Sequence, residues 1–352
     1  MVVLMSIYMK NNKWKGHLKS YMNMDNFPVI KGYNFEGKFD FDRFIETYKN
    51  MGFQGSNLGM AFSIMSKMLE EKKKNELSIW LSFTGNMISS GNREIITYLV
   101  KHKLIDGITT TAASLEEDII KCIKPFHLGS FEIPGKFLLD ESIGRIGNIL
   151  APMDRYLYFE RFFNDFFKKL MEEFDGIPCT YEVIREMGNL IPKHKLTKNN
   201  YKESFVYWAA KNNIPVFCPG ITDGAMGDLT TFFKRKNPKF AIDVTKDNFT
   251  LTKILQNTNK AGCIILGGGI AKHFLLNSAI FREGFEYSIY ITTAQEFDGS
   301  DSGGNQEEAI SWAKIKPNAQ RVKVVADATL IFPLLIAGVI GKINKDDNPK
   351  NI

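Results

Sequence analysis

The feature that most limits what this chain can become is a unit that recurs six times: a short apolar run, a polar turn, then a helical pattern. LSIWLSF (77–83) leads to TGNMISSGNRE, IDGITT (105–110) to TAASLEED, and IPVFCPG (214–220) to ITDGAMGD. CIILGGG (263–269) leads to IAKHF, YSIYITT (287–293) to AQEFDGSDSGG, and VKVVA (322–326) to DATLIFP. Strands that are apolar throughout and alternate with helices belong to a mainly parallel sheet covered on both faces. The expected fold class is therefore α/β, a doubly wound, Rossmann-like sheet. Turns that follow the strands of such a sheet gather at its carboxyl edge, where ligands bind, so the six turns are expected to line one crevice.

The rhythm breaks between about 125 and 212. RYLYFERFFNDFFKKLMEEF (155–174) reads as an aromatic amphipathic helix whose stripe belongs to the core or a subunit interface, and ESFVYWAAKN (203–212) as a second helix. No Gly/Ser linker flanks this region, so it is expected to be a helical insertion in a single domain spanning 39–344. Residues 1–38 read as an amino-terminal arm and 345–352 as a frayed tail.

Composition excludes several classes. The chain has 352 residues and a net charge of +6, spread over abundant Lys and Asn and not gathered in a nucleic-acid-binding stripe. Cys122, Cys179, Cys218 and Cys263 are scattered without a CxxC pair, which favours reduced thiols in a cytosolic protein over disulfides or zinc. The apolar run LIFPLLIAGVI is too short to span a bilayer and contains Pro333. A soluble, cytoplasmic protein with no membrane or nucleic-acid partner is expected.

Chemistry concentrates in the turns. LGGGIAKH (266–273) follows a strand and opens a helix, so backbone can approach an anionic ligand there, although the G-x-G-x-x-G spacing is missing. No Walker sequence occurs. The acidic stretch EFDGSDSGG matches a calcium loop poorly, and no metal is expected. His273, one turn into its helix, is expected to be neutral. Trp312 and Lys314 would point to opposite sides of a continuous helix. Pro317 is expected to loosen the helix end near Lys314, so that both side chains turn into one pocket. Many carboxylates, an aromatic ring and one lysine, with almost no phosphate-binding cations, suit a small polyamine. Among apolar neighbours a lysine can serve as an imine-forming nucleophile.

On these motifs the chain resembles the deoxyhypusine synthase family, from KGYNFEG and GFQGSNLG to VVADATLIFPLL, with EFDGSDSGGNQEEAISWAKI the most specific segment. The resemblance implies an NAD-dependent transferase that moves the aminobutyl group of spermidine to one lysine of the translation initiation factor 5A precursor. It also implies a homotetramer with active sites between paired subunits and an arm able to cover a site. Residue by residue, it implies Lys314 as the covalent lysine. Asp228, His273, Gly299, Ser300, Asp301, Glu308 and Trp312 resemble the spermidine pocket, with Glu116 and Glu117 at its edge. Asn86, Ser89, Thr111, Ala112, Glu117, Asp223, Gly268, Thr293, Ala294, Asp298, Asp327 and Ala328 resemble NAD contacts, as do the departing positions Gly85 and Ala113.

Three segments depart from the family pattern: Gly85 replaces a frequent Ser, Ala113-Ser114 a frequent Gly-Gly, and GGNQEE a more usual run that keeps Glu308. The implied chemistry oxidises spermidine to an imine, passes its butyl carbons to Lys314 with loss of 1,3-diaminopropane, and then passes them to the acceptor lysine for reduction. A homospermidine synthase using putrescine would share the first half of this route. A catalytically silent regulatory relative should lack the lysine or the acids, and here Lys314, Asp301 and Glu308 are present.

Overall fold

The computed structural model describes residues 27–347, so most of the expected arm and the last residues of the expected tail lie outside the described residues. After an irregular stretch come α1 (Phe41–Thr47), a short 3-10 turn, α2 (Phe53–Lys73) and β1 (Ser78–Phe83). Next are α3 (Asn86–Ser89), α4 (Asn92–Lys101), β2 (Gly107–Thr109) and α5 (Ala112–Ile123). The inserted segment holds β3 (His127–Leu128), α6 (Gly135–Asp140), β4 (Ile143–Ile146), β5 (Ile149–Pro152), α7 (Asp154–Glu173), α8 (Thr180–Leu190) and α9 (Phe205–Asn212). The chain then runs through β6 (Val216–Phe217), α10 (Ala225–Lys236), α11 (Val244–Gln256), β7 (Ala261–Leu266) and α12 (Gly269–Ala279). It closes with β8 (Phe285–Thr292), α13 (Gln306–Ser311), β9 (Ile315–Val325) and α14 (Ala328–Asp347).

The six main strands lie in the order β6-β2-β1-β7-β8-β9, and every neighbouring pair is parallel. Counted in order of use, this is the doubly wound 3-2-1-4-5-6 arrangement, with its switch point between β1 and β7. All six apolar runs are strands of this sheet, as expected. The inserted segment differs from the expected all-helical one, because β3, β5 and β4 form a small antiparallel sheet. Its strands are two to four residues long and largely half-exposed, so they carry no apolar run to betray them.

Strand alternation builds two cores. Ile79, Leu81, Phe83, Ile264, Ile289 and Ile291 face the larger core, where the buried phenylalanines of α7 also lie. Trp80, Cys263, Ile265, Phe285 and Tyr290 face the smaller one, covered by α11, α12 and α13. The aromatic stripe of α7 is therefore core: Phe159, Phe162, Phe163, Phe166 and Phe167 are all buried. Pro317 sits within β9, an edge strand, where its missing N–H breaks no ladder at the sheet centre. The four cysteines are free and buried, and burial pushes the Cys122 thiol up to about 12. Among the described residues no helix is long and apolar enough to cross a membrane, and no cluster of His, Cys, Asp and Glu could hold a metal ion.

Candidate active site

The predicted residues fall into two groups. The first occupies the carboxyl edge of the sheet, in the turns after β1, β2, β6, β7, β8 and β9. The second lines a cleft of about 670 Å³ on the smaller-core face, between α12 and the segment running through α13.

At the carboxyl edge the turn after β7 is built from Gly267, Gly268 and Gly269. Gly267 and Gly269 adopt positive φ angles of 83° and 67°, which L side chains rarely take. Gly268 meets a different need: a Cβ there would lie 2.4 Å from the Ser302 backbone. The acidic loop thus packs directly onto the glycine turn at the switch point. Thr111 caps the start of α5 with extended backbone, and Asn86, Asp223 and Thr293 are exposed at neighbouring turns. Thr84 Oγ1 donates to Asn86 Oδ1 at 2.6 Å, and the Ala294 N–H donates to Thr292 Oγ1 at 3.1 Å. Asp327 Oδ1 accepts from the Thr329 N–H at 2.7 Å and from its hydroxyl at 2.5 Å, so this carboxylate also caps α14, which opens on buried Ala328.

Glu116 and Glu117 are buried rather than rimming a pocket. Glu116 Oε2 accepts from the Met226 N–H at 3.0 Å, tying the amino end of α10 to α5 near Asp228. Burial raises its pKa, opposed by those backbone donors, and Asp228 and Asp223 push it further up. Glu117 accepts the Ser89 hydroxyl, and burial pushes it up to about 7 against the Ser89 bond and the Lys121 charge.

Gly85 and Ala113, the two departures, touch each other. A Cβ on Gly85 would lie 2.7 Å from Ala113 Cβ, and Gly85 itself has ordinary helical angles of φ −51° and ψ −38°. A side chain at 85 and the Ala113 methyl therefore compete for the same space.

In the second group, α13 begins at Asn305, whose side-chain oxygen accepts from the Glu308 N–H at 3.0 Å. It ends in a Schellman turn: Lys314 N–H donates to Ala309 O and Ala313 N–H to Ile310 O, both at 2.9 Å, with Ala313 at φ 54°. The helix does end before Lys314, as expected, but the left-handed Ala313 ends it, four residues ahead of Pro317. This reversal brings Trp312 and Lys314 to one cleft, together with His273, Gly299, Ser300, Asp301 and Glu308. Trp312 is 63% exposed, unlike the average tryptophan. His273 Nδ1 lies 3.1 Å from the Asn277 side-chain amide, which holds the ring at the cleft. Asp298 caps its own loop, Oδ1 accepting from the Ser300 N–H at 2.8 Å, and the Ser300 hydroxyl, with that N–H, holds its carboxyl below the usual range.

The Lys314 backbone lies at the amino end of β8, opposite the carboxyl edge of its own chain. Its carbonyl accepts from Phe285, the first residue of β8, at 3.1 Å. The edge begins after Thr292, seven residues on, or roughly 23 Å along the strand. None of Glu116, Glu117 and Asp228 lines the cleft that holds Lys314. Two residues were not anticipated. Lys272 and Lys323 hold the acidic loop by its backbone, and the signal for Lys272 is its spacing, three and four residues before the buried Leu275 and Leu276.

A doubly wound sheet with a glycine turn at its switch point, and an acid-lined cleft ending on a lysine, define the class: an α/β enzyme with two ligand-facing surfaces. The family model described as deoxyhypusine synthase matches residues 43–339, and the chain belongs to that family. A Methanocaldococcus jannaschii relative described as "Probable deoxyhypusine synthase" is 46% identical over 295 residues, 82% of this chain and 89% of its own. The Senecio vernalis deoxyhypusine synthase is 41% identical over 330 residues, 88% of each chain. A solved Entamoeba histolytica structure bearing the same family name superposes with a TM-score of 0.63 at 29% identity, over 89% of this chain and 97% of that one. The function is that of this family and not the homospermidine-forming alternative.

Proposed function

We propose that the chain transfers the 4-aminobutyl group of spermidine to one lysine of the translation initiation factor 5A precursor, with NAD as cofactor, in sites shared between paired subunits of a homotetramer. The observation that carries this reading is the cleft in which Asp301, Glu308, His273 and Trp312 converge on Lys314. Carboxylates pair with the ammonium groups of a polyamine, and an indole face adds cation–π attraction.

The carboxyl edge fits a dinucleotide by its own geometry. The positive-φ glycines let backbone approach a phosphate closely, α5 and α12 present amino ends, and Asn86, Thr111, Asp223 and Asp327 offer polar groups around them. When bound, NAD would take up a hydride from spermidine and return it after transfer. This chain's own residues do the rest. Asp301 and Glu308 hold the substrate's charge, and His273, its ring held by Asn277, lines the same cleft. The Lys314 amine attacks the carbon of the oxidised substrate as the bond to 1,3-diaminopropane breaks, and the acceptor lysine later displaces it. Lys316 is less suited, because its Nζ pairs with Glu286 at 2.6 Å.

The separation of Lys314 from Glu116, Glu117 and Asp228 supports a shared site, with one subunit supplying the carboxyl edge and its partner the cleft. The exposure of Trp312 supports it too. The test is borohydride treatment of protein mixed with NAD and spermidine but no acceptor. Peptide mapping is expected to find an aminobutyl adduct on Lys314. An adduct on Lys316, or none on wild-type protein, would refute the assignment.

A further inference from the structure

Lys272 is almost fully buried, at 4% exposure, on the face of α12 that carries Leu275 and Leu276 into the smaller core. Its ammonium has no ion pair with a carboxylate among the described contacts. It donates instead to the main-chain carbonyl of Asp301 and, at 3.1 Å, to that of Gly304, and lies 4.9 Å from the centre of the Tyr290 ring. From the other side Lys323, on β9, donates to the carbonyl of Gly303 at 2.5 Å and lies 3.9 Å from Glu296. Missing side chains let the loop close onto these struts. A Cβ on Gly303 would lie 1.9 Å from the Gln295 carbonyl oxygen, and one on Gly304 2.9 Å from the Glu308 carboxylate.

The choice of partner matters. A buried ammonium beside acids ordinarily pairs with a carboxylate, and doing so here would neutralise the groups a polyamine needs. Lys272 uses carbonyl oxygens, and Asp301 Oδ2 stays buried with no hydrogen-bond partner among the described residues. Burial lowers the Lys272 pKa while Asp301 and Glu308 push it back up, so the acids stabilise its charge at a distance without being consumed by it.

We infer that Lys272 is a positioning residue. By gripping the carbonyls of Asp301 and Gly304 it fixes the turn that aims the Asp301 and Glu308 carboxylates into the cleft and keeps both free for substrate ammonium groups. The inference rests on the reading of the cleft as the spermidine site.

Two physical effects of removing this lysine have opposite signs, which makes the test sharp. Losing a positive charge beside a polycation site should by itself tighten spermidine binding. Losing the strut should loosen it. In Lys272→Met, which keeps length and loses the donor, the spermidine KM is expected to rise by about tenfold or more, the loss typical of hydrogen bonds to a charged group. kcat should fall less, and NAD affinity should not change. Hydrogen exchange of the 301–304 amides should quicken in the same variant without ligand. Unchanged or tighter spermidine binding by Lys272→Met would overturn the inference. Wild-type protein that binds no spermidine would instead overturn the reading of the cleft. If Lys272→Met does not fold, Lys323→Met decides: faster exchange at 301–304 with weaker spermidine binding supports the strut, and no change in either overturns it.

Discussion

The contact between Gly85 and Ala113 permits a quantitative test of the carboxyl edge. A Cβ at 85 would sit 2.7 Å from Ala113 Cβ, against an ordinary contact of 3.4–4 Å. At least 0.7 Å must therefore be recovered by moving α3 or α5, both packed on the larger core. Overpacking of this kind costs about 1–3 kcal/mol. The backbone raises no second obstacle, because Gly85 is in the right-handed helical region. Gly85→Ser alone is thus expected to destabilise by about 1–3 kcal/mol. Ala113→Gly alone should cost up to about 1 kcal/mol from lost helix propensity in α5. The double variant should cost little more than Ala113→Gly, giving a coupling of about 1–3 kcal/mol between the sites. Urea unfolding of the four proteins at one protein concentration measures this, with NAD calorimetry alongside. Costs that add to within about 0.5 kcal/mol would refute the competition for space.

Other expectations concern single residues. Asp327→Ala should weaken NAD binding and also cost about 1 kcal/mol by uncapping α14, whereas Asp327→Asn should keep most of the cap; equal stability of the two would show that capping is unimportant. Asp301→Asn should raise the spermidine requirement with little change in NAD affinity, since losing one member of a buried charge pair costs about 3–5 kcal/mol, and parallel loss of both ligands in calorimetry would count against it. Lys314→Arg keeps the charge but should abolish transfer to the acceptor, and full transfer would disprove the covalent role. Mixed oligomers of Asp228→Asn and Lys314→Arg should regain activity that neither parent has, because some sites then combine two intact halves; no recovery in verified mixed oligomers would argue for sites within one chain. Glu117 has a raised pKa, about 7, so its neutral form favours folding below the unfolded value near 4.5 and that contribution is lost as pH rises through about 7. Glu117→Gln should accordingly gain stability over wild type above pH 7 and lose that advantage in acid, as melting curves across the range would reveal.

The sheet was legible because its strands are buried on both sides, and such strands announce themselves as unbroken runs such as CIILG and YSIYI. The small antiparallel sheet was not, since His127–Leu128 and its neighbours are too short and too exposed to show a period. The residues of the cleft could be listed from their motifs, but their division between two surfaces depends on where β9 starts, and no local pattern encodes that. Lys272 reads as one more surface lysine until its spacing to Leu275 and Leu276 is weighed. The contact between Gly85 and Ala113 joins residues 28 positions apart and needs the packing of α3 on α5 to be seen.

Ala313 sets a limit on how this protein can be improved. Holding an alanine in the left-handed region costs about 1 kcal/mol relative to glycine, so Ala313→Gly is the sort of exchange a stability screen would select. The same exchange would widen the torsions open to the residue that aims Lys314. A more heat-resistant enzyme would then hold its nucleophile less firmly, and thermal tolerance and turnover would be set against each other by a single methyl group.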